Sequence, residues 1–339
     1  MMRLASLLAL CLPALACADE VAEAAYLRSI RRAFPVNIVA ITSQRDPKNE
    51  RAMQSIRVER DKEGRIHHVV LQPLRLMGIE TSDDGVHKRV YWPDQNLLIE
   101  EVSALRTKDD AALKLSIAKK NYAFKITGRE RIAGRDAIEV VAQPKHGGMD
   151  SRRFFLDAKY FYPLRVISVS PSGQETLHLD TQDILFPNTI PLSRFDVKPS
   201  GTPRLMQYER QAKMTASLVE ERLGFEPILP NQIPLGFRRM PEMLLTASDS
   251  WNAVSVRLTD GILRATIYQW KAGKKDKTRV SSIENSSFVE YRGICVLLVS
   301  EMAPQLRERL LNGFIERAEA EALLGQFDPF WNVPPTTDR

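Results

Sequence analysis

Cysteine is scarce: there are 3 in 339 residues, and Cys11 and Cys17 both fall near the N-terminus. Cys295 stands alone in the apolar run Gly293-Ile294-Cys295-Val296-Leu297-Leu298-Val299. No internal disulfide framework is available, so core packing must hold the chain together. Cys295 reads as a small core hydrophobe. Long hydrophobic runs are also missing. Beyond the N-terminus no stretch approaches the ~18 apolar residues of a membrane-spanning helix, so none is expected in the mature chain.

Catalytic signatures are absent too. There is no Gly-x-Ser-x-Gly elbow, no His-Glu-x-x-His, no Cys-x-x-Cys and no phosphate-binding glycine loop. His67-His68 is the only adjacent pair of imidazoles. Neighbours on a strand point to opposite faces, so the two rings are badly placed to share a metal. Glu100-Glu101 and Asp109-Asp110 read as solvated charge. The sequence therefore points away from an enzyme and calls for no cofactor or metal. Nor is there a dominant sign of charge. The net +6 comes from 48 basic against 42 acidic residues, not from the concentrated stripe expected of a nucleic-acid binder. The densest cluster, Lys271, Lys274, Lys275 and Lys277, reads as a solvated hairpin tip, with an anionic lipid or acidic partner as the alternative.

The N-terminus is informative. Arg3 precedes an uncharged apolar run from Leu4 to Ala16, followed by Ala16-Cys17-Ala18 and then Asp19-Glu20. This is the pattern of a secretory signal peptide over residues 1–18. Cleavage after Ala18 gives a soluble exported protein. Alternatively, Ala14-Leu15-Ala16-Cys17 resembles a lipoprotein box, and a lipidated Cys17 would tether the protein to a membrane. The residues leave both outcomes open.

Residues 22–33 have helical spacing, with Ala25, Leu27, Ile30 and Ala33 as the apolar stripe, and Pro35 stops them. Strands are expected at 36–42, 53–60, 66–71, 88–92 and 97–102, and a helix at 108–119 with Leu113 and Ile117 on one side. The clearest pattern is the hairpin 124–143. Phe124, Ile126, Ile132, Ile138, Val140 and Ala142 alternate about a Gly134-Arg135 turn and predict one apolar face. Strands at 152–156, 164–170 and 174–185 follow. Connections this short favour a large curved antiparallel sheet over a doubly wound fold. Lys198-Pro199-Ser200-Gly201-Thr202-Pro203 looks like a linker, and 206–223 looks helical. A second unit follows, with strands at 254–258, 262–270, 288–291 and 294–300. It closes on a helix, 304–324, whose apolar face is Leu306, Leu310, Phe314, Ile315 and Leu324. The expected layout is a half-barrel domain at 19–197, a linker with a helix at 198–224, a small α+β domain at 225–327 and a flexible tail at 328–339. The fold class is α+β.

A wide curved sheet has an inner face that helices must plug or a ligand can occupy. Candidate lining residues are Val69, Leu71, Leu74, Leu76, Trp92, Phe124, Ile126, Phe154 and Leu156. The competing interpretation is that they only pack on the domain's own helices.

The run Gly128-Arg129-Glu130-Arg131-Ile132-Ala133-Gly134-Arg135-Asp136-Ala137-Ile138-Glu139-Val140 resembles a hairpin of the LolA-like superfamily. So does Arg153-Phe154-Phe155-Leu156-Asp157-Ala158-Lys159, continuing to Tyr162-Pro163-Leu164-Arg165. Leu229-Pro230 through Ile233-Pro234-Leu235-Gly236-Phe237, Leu258-Thr259-Asp260-Gly261-Ile262 and Val299-Ser300-Glu301-Met302-Ala303-Pro304 resemble the C-terminal domain of the RseB/MucB family. That resemblance implies an unclosed antiparallel barrel with helices across its mouth, a periplasmic location and no catalytic residues. It implies a negative regulator of an envelope-stress sigma factor. Such a regulator binds the periplasmic domain of a membrane-anchored anti-sigma factor and shields it from proteolysis, with a lipidic ligand as a release signal. The large domain alone would suggest the alternative, a carrier of lipids or lipoprotein acyl chains. The apolar run around Cys295 departs from the family pattern.

Overall fold

The computed structural model describes residues 19–46, 49–103, 110–208, 213–248, 251–273, 283 and 285–327. The Cys17 alternative, the signal peptide, the tail and Lys274, Lys275 and Lys277 lie outside the described residues. The chain divides into two compact units at Arg210/Gln211.

The first unit opens with helix α1 (residues 19–29), whose buried stripe is Ala22, Ala25 and Tyr26. Six strands follow: β1 (Ile38–Asp46), β2 (Asn49–Arg60), β3 (Ile66–Gln72), β4 (Glu80–Asp83), β5 (His87–Trp92) and β6 (Leu97–Val102). After helix α2 (Ala111–Asn121) come β7 (Tyr122–Ile132), β8 (Arg135–Pro144), β9 (Ser151–Asp157), β10 (Pro163–Val169), β11 (Glu175–Leu185) and β12 (Arg204–Tyr208). They form one curved open sheet in the order β12-β6-β5-β4-β3-β2-β1-β11-β10-β9-β8-β7. Two meanders, β1–β6 and β7–β11, are joined where β1 pairs with β11. The edge strands β12 and β7 do not pair, so the sheet stays open.

Local chemistry sets the turns. The β7–β8 connection is the two-residue pair Ala133 and Gly134, at φ 48° and 73°. This left-handed pair matches the right-handed twist of the strands it joins. Between β9 and β10 the buried Asp157 carboxylate accepts from the backbone N–H groups of Lys159 (3.0 Å) and Tyr160 (2.7 Å) and from Arg135 Nε (2.9 Å). On one face Phe155 lies beneath the guanidinium groups of Arg153 and Arg165, at 5.3 and 5.7 Å from its ring centre.

Several expectations need correction. A register shift between Ile126 and Gly128 interrupts the β7–β8 alternation. Ile132 therefore falls out of phase with Phe124 and Ile126 and joins a cluster with Phe34, Ile38 and Ala137. On α2, Ile117 is buried but Leu113 is exposed, and Ala111 and Ala118 supply the rest of the apolar contact. The segment at 204–208 is neither linker nor helix: β12 adds to the large sheet as a parallel partner of β6. The short strand β4 was not anticipated either.

The second unit contains β13 (Lys213–Met214), α3 (Ala216–Leu223), β14 (Arg238–Ser248), β15 (Trp251–Thr259), β16 (Arg264–Lys271), β17 (Ser286–Tyr291), β18 (Ile294–Val299) and α4 (Pro304–Phe327). Its sheet runs β13-β14-β15-β16-β18-β17. Strand β18 lies between β16 and β17, so β16 and β17 do not pair with each other. Strand β14 also went unanticipated. Cys295 is buried at 1% exposure among Ala253, Trp270 and Leu297. From α4, Leu306, Leu310, Leu311 and Phe314 fill the core.

Candidate functional site

Directly paired residues share a face of a sheet. Ile126, Val140, Phe154, Val166 and Leu179 therefore form one row across β7–β11. The row continues through Gln44 on β1 and Gln54 on β2. Phe124 and Leu156, each two residues from a member of the row, lie on the same side. That side is the one α1 covers. The Tyr26 ring, 2% exposed, sits 4.8 Å from the Phe124 ring and 5.3 Å from that of Phe154. A Glu23–Lys119 ion pair at 2.6 Å ties α1 to α2.

Past β2 the same face carries the row Val58–His68–Thr81–Val90–Ile99–Met206. Its outer members Val90, Ile99 and Met206 are only partly buried, and Met206 is 38% exposed. Trp92, two residues from Val90, shares this side and is half-buried. The face is thus closed by α1 at one end and remains apolar and partly open at the other.

The nine candidate lining residues are not all brought together. Phe124, Ile126, Phe154, Leu156 and Trp92 share the face. Val69 points the other way, paired with Arg57 and Glu80, while its neighbour Val70 pairs with Ile56. Leu71 is left unpaired at a register shift. Leu74 and Leu76 lie in a 3-10 turn beyond the strand, where Leu74 is 80% exposed.

Two histidines add polarity. His68 has its pKa lowered to about 4 by burial, then by the positive charges of Arg60 and His67. His178 is lowered to about 3 by burial, then by Arg152 and Arg45, and shares a 2.8 Å hydrogen bond with the Ser168 hydroxyl. Both imidazoles are neutral at neutral pH. Among the described residues no group of three or more His, Cys, Asp or Glu is placed to hold a metal. No described helix is long and apolar enough to cross a membrane.

Comparison with known proteins fits this architecture. Residues 49–185 match the family described as the MucB/RseB N-terminal domain. The match lies wholly within the first unit; the second unit is outside it. No curated protein matches the chain. Among solved structures, the Pseudomonas aeruginosa MucA/MucB complex aligns with TM-score 0.56 at 12% identity, covering 85% of this chain and 96% of that one. A crystal structure of MucB aligns with TM-score 0.55 at 13% identity, covering 88% and 97%. A third, MucB in complex with MucA(peri), gives 0.55 at 11% identity. At these identities the likeness is one of fold.

Tyr26, His68 and His178 are the site residues that sequence inspection missed; the two histidines lie within the matched residues and Tyr26 precedes them. Tyr26 was recoverable, since Ala22, Ala25 and Tyr26 have the i, i+3, i+4 spacing of a buried helical stripe. The histidines carried no signal, because their burial depends on strands far apart in sequence.

Proposed function

We propose that this chain is an exported regulator. It binds the periplasmic segment of a membrane-anchored anti-sigma factor and protects that segment from proteolysis. A lipidic ligand on the α1-covered face of the large sheet releases it. The observation that carries the partner is the MucB/RseB domain match, together with a fold shared with MucB, which has been solved with MucA. The ligand is supported by the two apolar stretches of this face: Ile126 to Leu179, where α1 packs on Phe124 and Phe154, and Val90, Ile99 and Met206, which stay only partly buried.

The test is reconstitution. The mature chain is mixed with the periplasmic segment of a single-span anti-sigma factor and exposed to a site-1-type protease. Protection at stoichiometric amounts, lost on adding lipid, is the expected result. Absence of complex formation, with lipid co-purifying from the envelope fraction, would instead favour a carrier. The second unit argues against a simple carrier, because moving an acyl chain requires only the sheet and its covering helices.

A further inference from the structure

The second unit holds a cavity of about 500 Å³, within the roughly 300–1,000 Å³ of small-molecule sites. One wall is the segment 225–230, which follows the left-handed Gly224 cap of α3 (φ 72°). A second is the tight turn between β17 and β18, with Arg292 and Gly293 at φ 51° and 75°. The third is α4, which presents the small residues Ala318 and Ala322 one turn apart.

The walls are held in place. The Gln269 side chain, 0% exposed, clamps Ile228 from both sides. It accepts from Ile228 N–H at 2.7 Å and donates to Ile228 C=O at 2.9 Å. The Glu321 carboxylate accepts from the backbone N–H groups of Asn231 (3.0 Å) and Gln232 (3.2 Å) and from Asn231 Nδ2 (3.1 Å). Its charge is thereby taken up by the loop it anchors. The floor is apolar, from Phe225, Ile228, Leu229 and Ile294 with the two alanines.

Two cations line the same cavity. The Lys271 ammonium lies beside Gly224, 3.9 Å from where a Cβ there would sit. The Arg292 guanidinium lies over the Tyr291 ring at 5.0 Å. Both residues are exposed, and Glu226 is the one lining carboxylate outside the Glu321 network. The Tyr291 hydroxyl is buried in the adjoining wall without a hydrogen-bond partner among the described residues.

We infer that this cavity binds a small amphipathic anion: a carboxylate or phosphate head on the Lys271/Arg292 rim and an unbranched apolar tail over Ala318 and Ala322. Fixed apolar walls with a few converging donors are the general design of such sites, and cations on the rim supply charge-assisted bonds to the head. The inference does not depend on the anti-sigma partner or on the large sheet.

The test is calorimetric titration of the mature chain with decanoate, decyl phosphate and neutral decanol. Saturable binding of at least one anion is expected, with decanol at least about tenfold weaker, since a lost charge-assisted bond is worth ~1.4 kcal/mol or more. Whichever anion binds tighter identifies the head group. The double substitution Lys271→Gln/Arg292→Gln should weaken the anion by about tenfold or more. Ala322→Leu, which fills the floor, should abolish binding while circular dichroism stays unchanged. Decanol binding as tightly as decanoate overturns the inference. So does anion affinity unmoved by the charge variant, which would place the ligand on the large sheet, and so does the absence of saturable heat. If Ala322→Leu fails to fold, the charge variant, altered only at the surface, still decides.

Discussion

His68 is a half-buried imidazole kept neutral by its surroundings, and that makes the first unit acid-sensitive. Its pKa in the folded chain is about 4, against ~6.5 for a free histidine. Between these values the unfolded chain takes up a proton that the folded chain refuses, so stability falls as pH falls. The loss begins near pH 6.5, reaches about 2 kcal/mol at pH 5 and levels off near pH 4 at about 3 kcal/mol. Part of the residue stays accessible to solvent, so these figures are upper bounds. His178 acts in the same direction through burial and its neighbours Arg152 and Arg45. The measurement is urea denaturation, followed by tryptophan fluorescence and far-UV circular dichroism, from pH 7.5 to 4.5 for the native sequence and for His68→Gln. Carboxylates titrate in both proteins, so the difference between the two curves isolates the imidazole. That difference should be flat above pH 7 and shift in favour of the variant by about 2 kcal/mol by pH 5. Parallel curves across the whole range would refute a depressed His68.

Two further substitutions probe the frame. Asp157→Ala removes the acceptor of two backbone N–H groups and Arg135 at a fully buried position; it should cost about 2–4 kcal/mol, visible as a lower denaturation midpoint of the first unit. Gly313→Ala on α4 would place a Cβ 2.9 Å from Pro234 Cγ and 3.1 Å from its Cβ. The rigid ring yields little, so the usual ~1 kcal/mol helix gain should turn into a net loss of about 1 kcal/mol. A stabilised Gly313→Ala protein would show that the turn around Pro234 gives way.

What the sequence determined by itself was whatever depends on near neighbours. Alternating apolar residues placed most strands of both sheets, because the two-residue period of a strand is a local property. Gly134 marked the β7–β8 turn, although the expected Gly134-Arg135 pair proved to be Ala133-Gly134, one residue earlier. The helical spacing of 304–324 and the scarcity of cysteine were equally local. Only tertiary structure decided which face each strand presents. The shift after Ile126 and the unpaired Leu71 each move side chains from one face to the other, and a slip of one residue is invisible to an alternation count. Tertiary structure also decided that Arg204–Tyr208 joins the large sheet beside β6, since that pairing links segments about a hundred residues apart. The β18 strand's place between β16 and β17, the neutral state of His68 and the clamp of Gln269 on Ile228 arise in the same way. Each is a contact between distant segments, fixed by burial and hydrogen bonding across the fold.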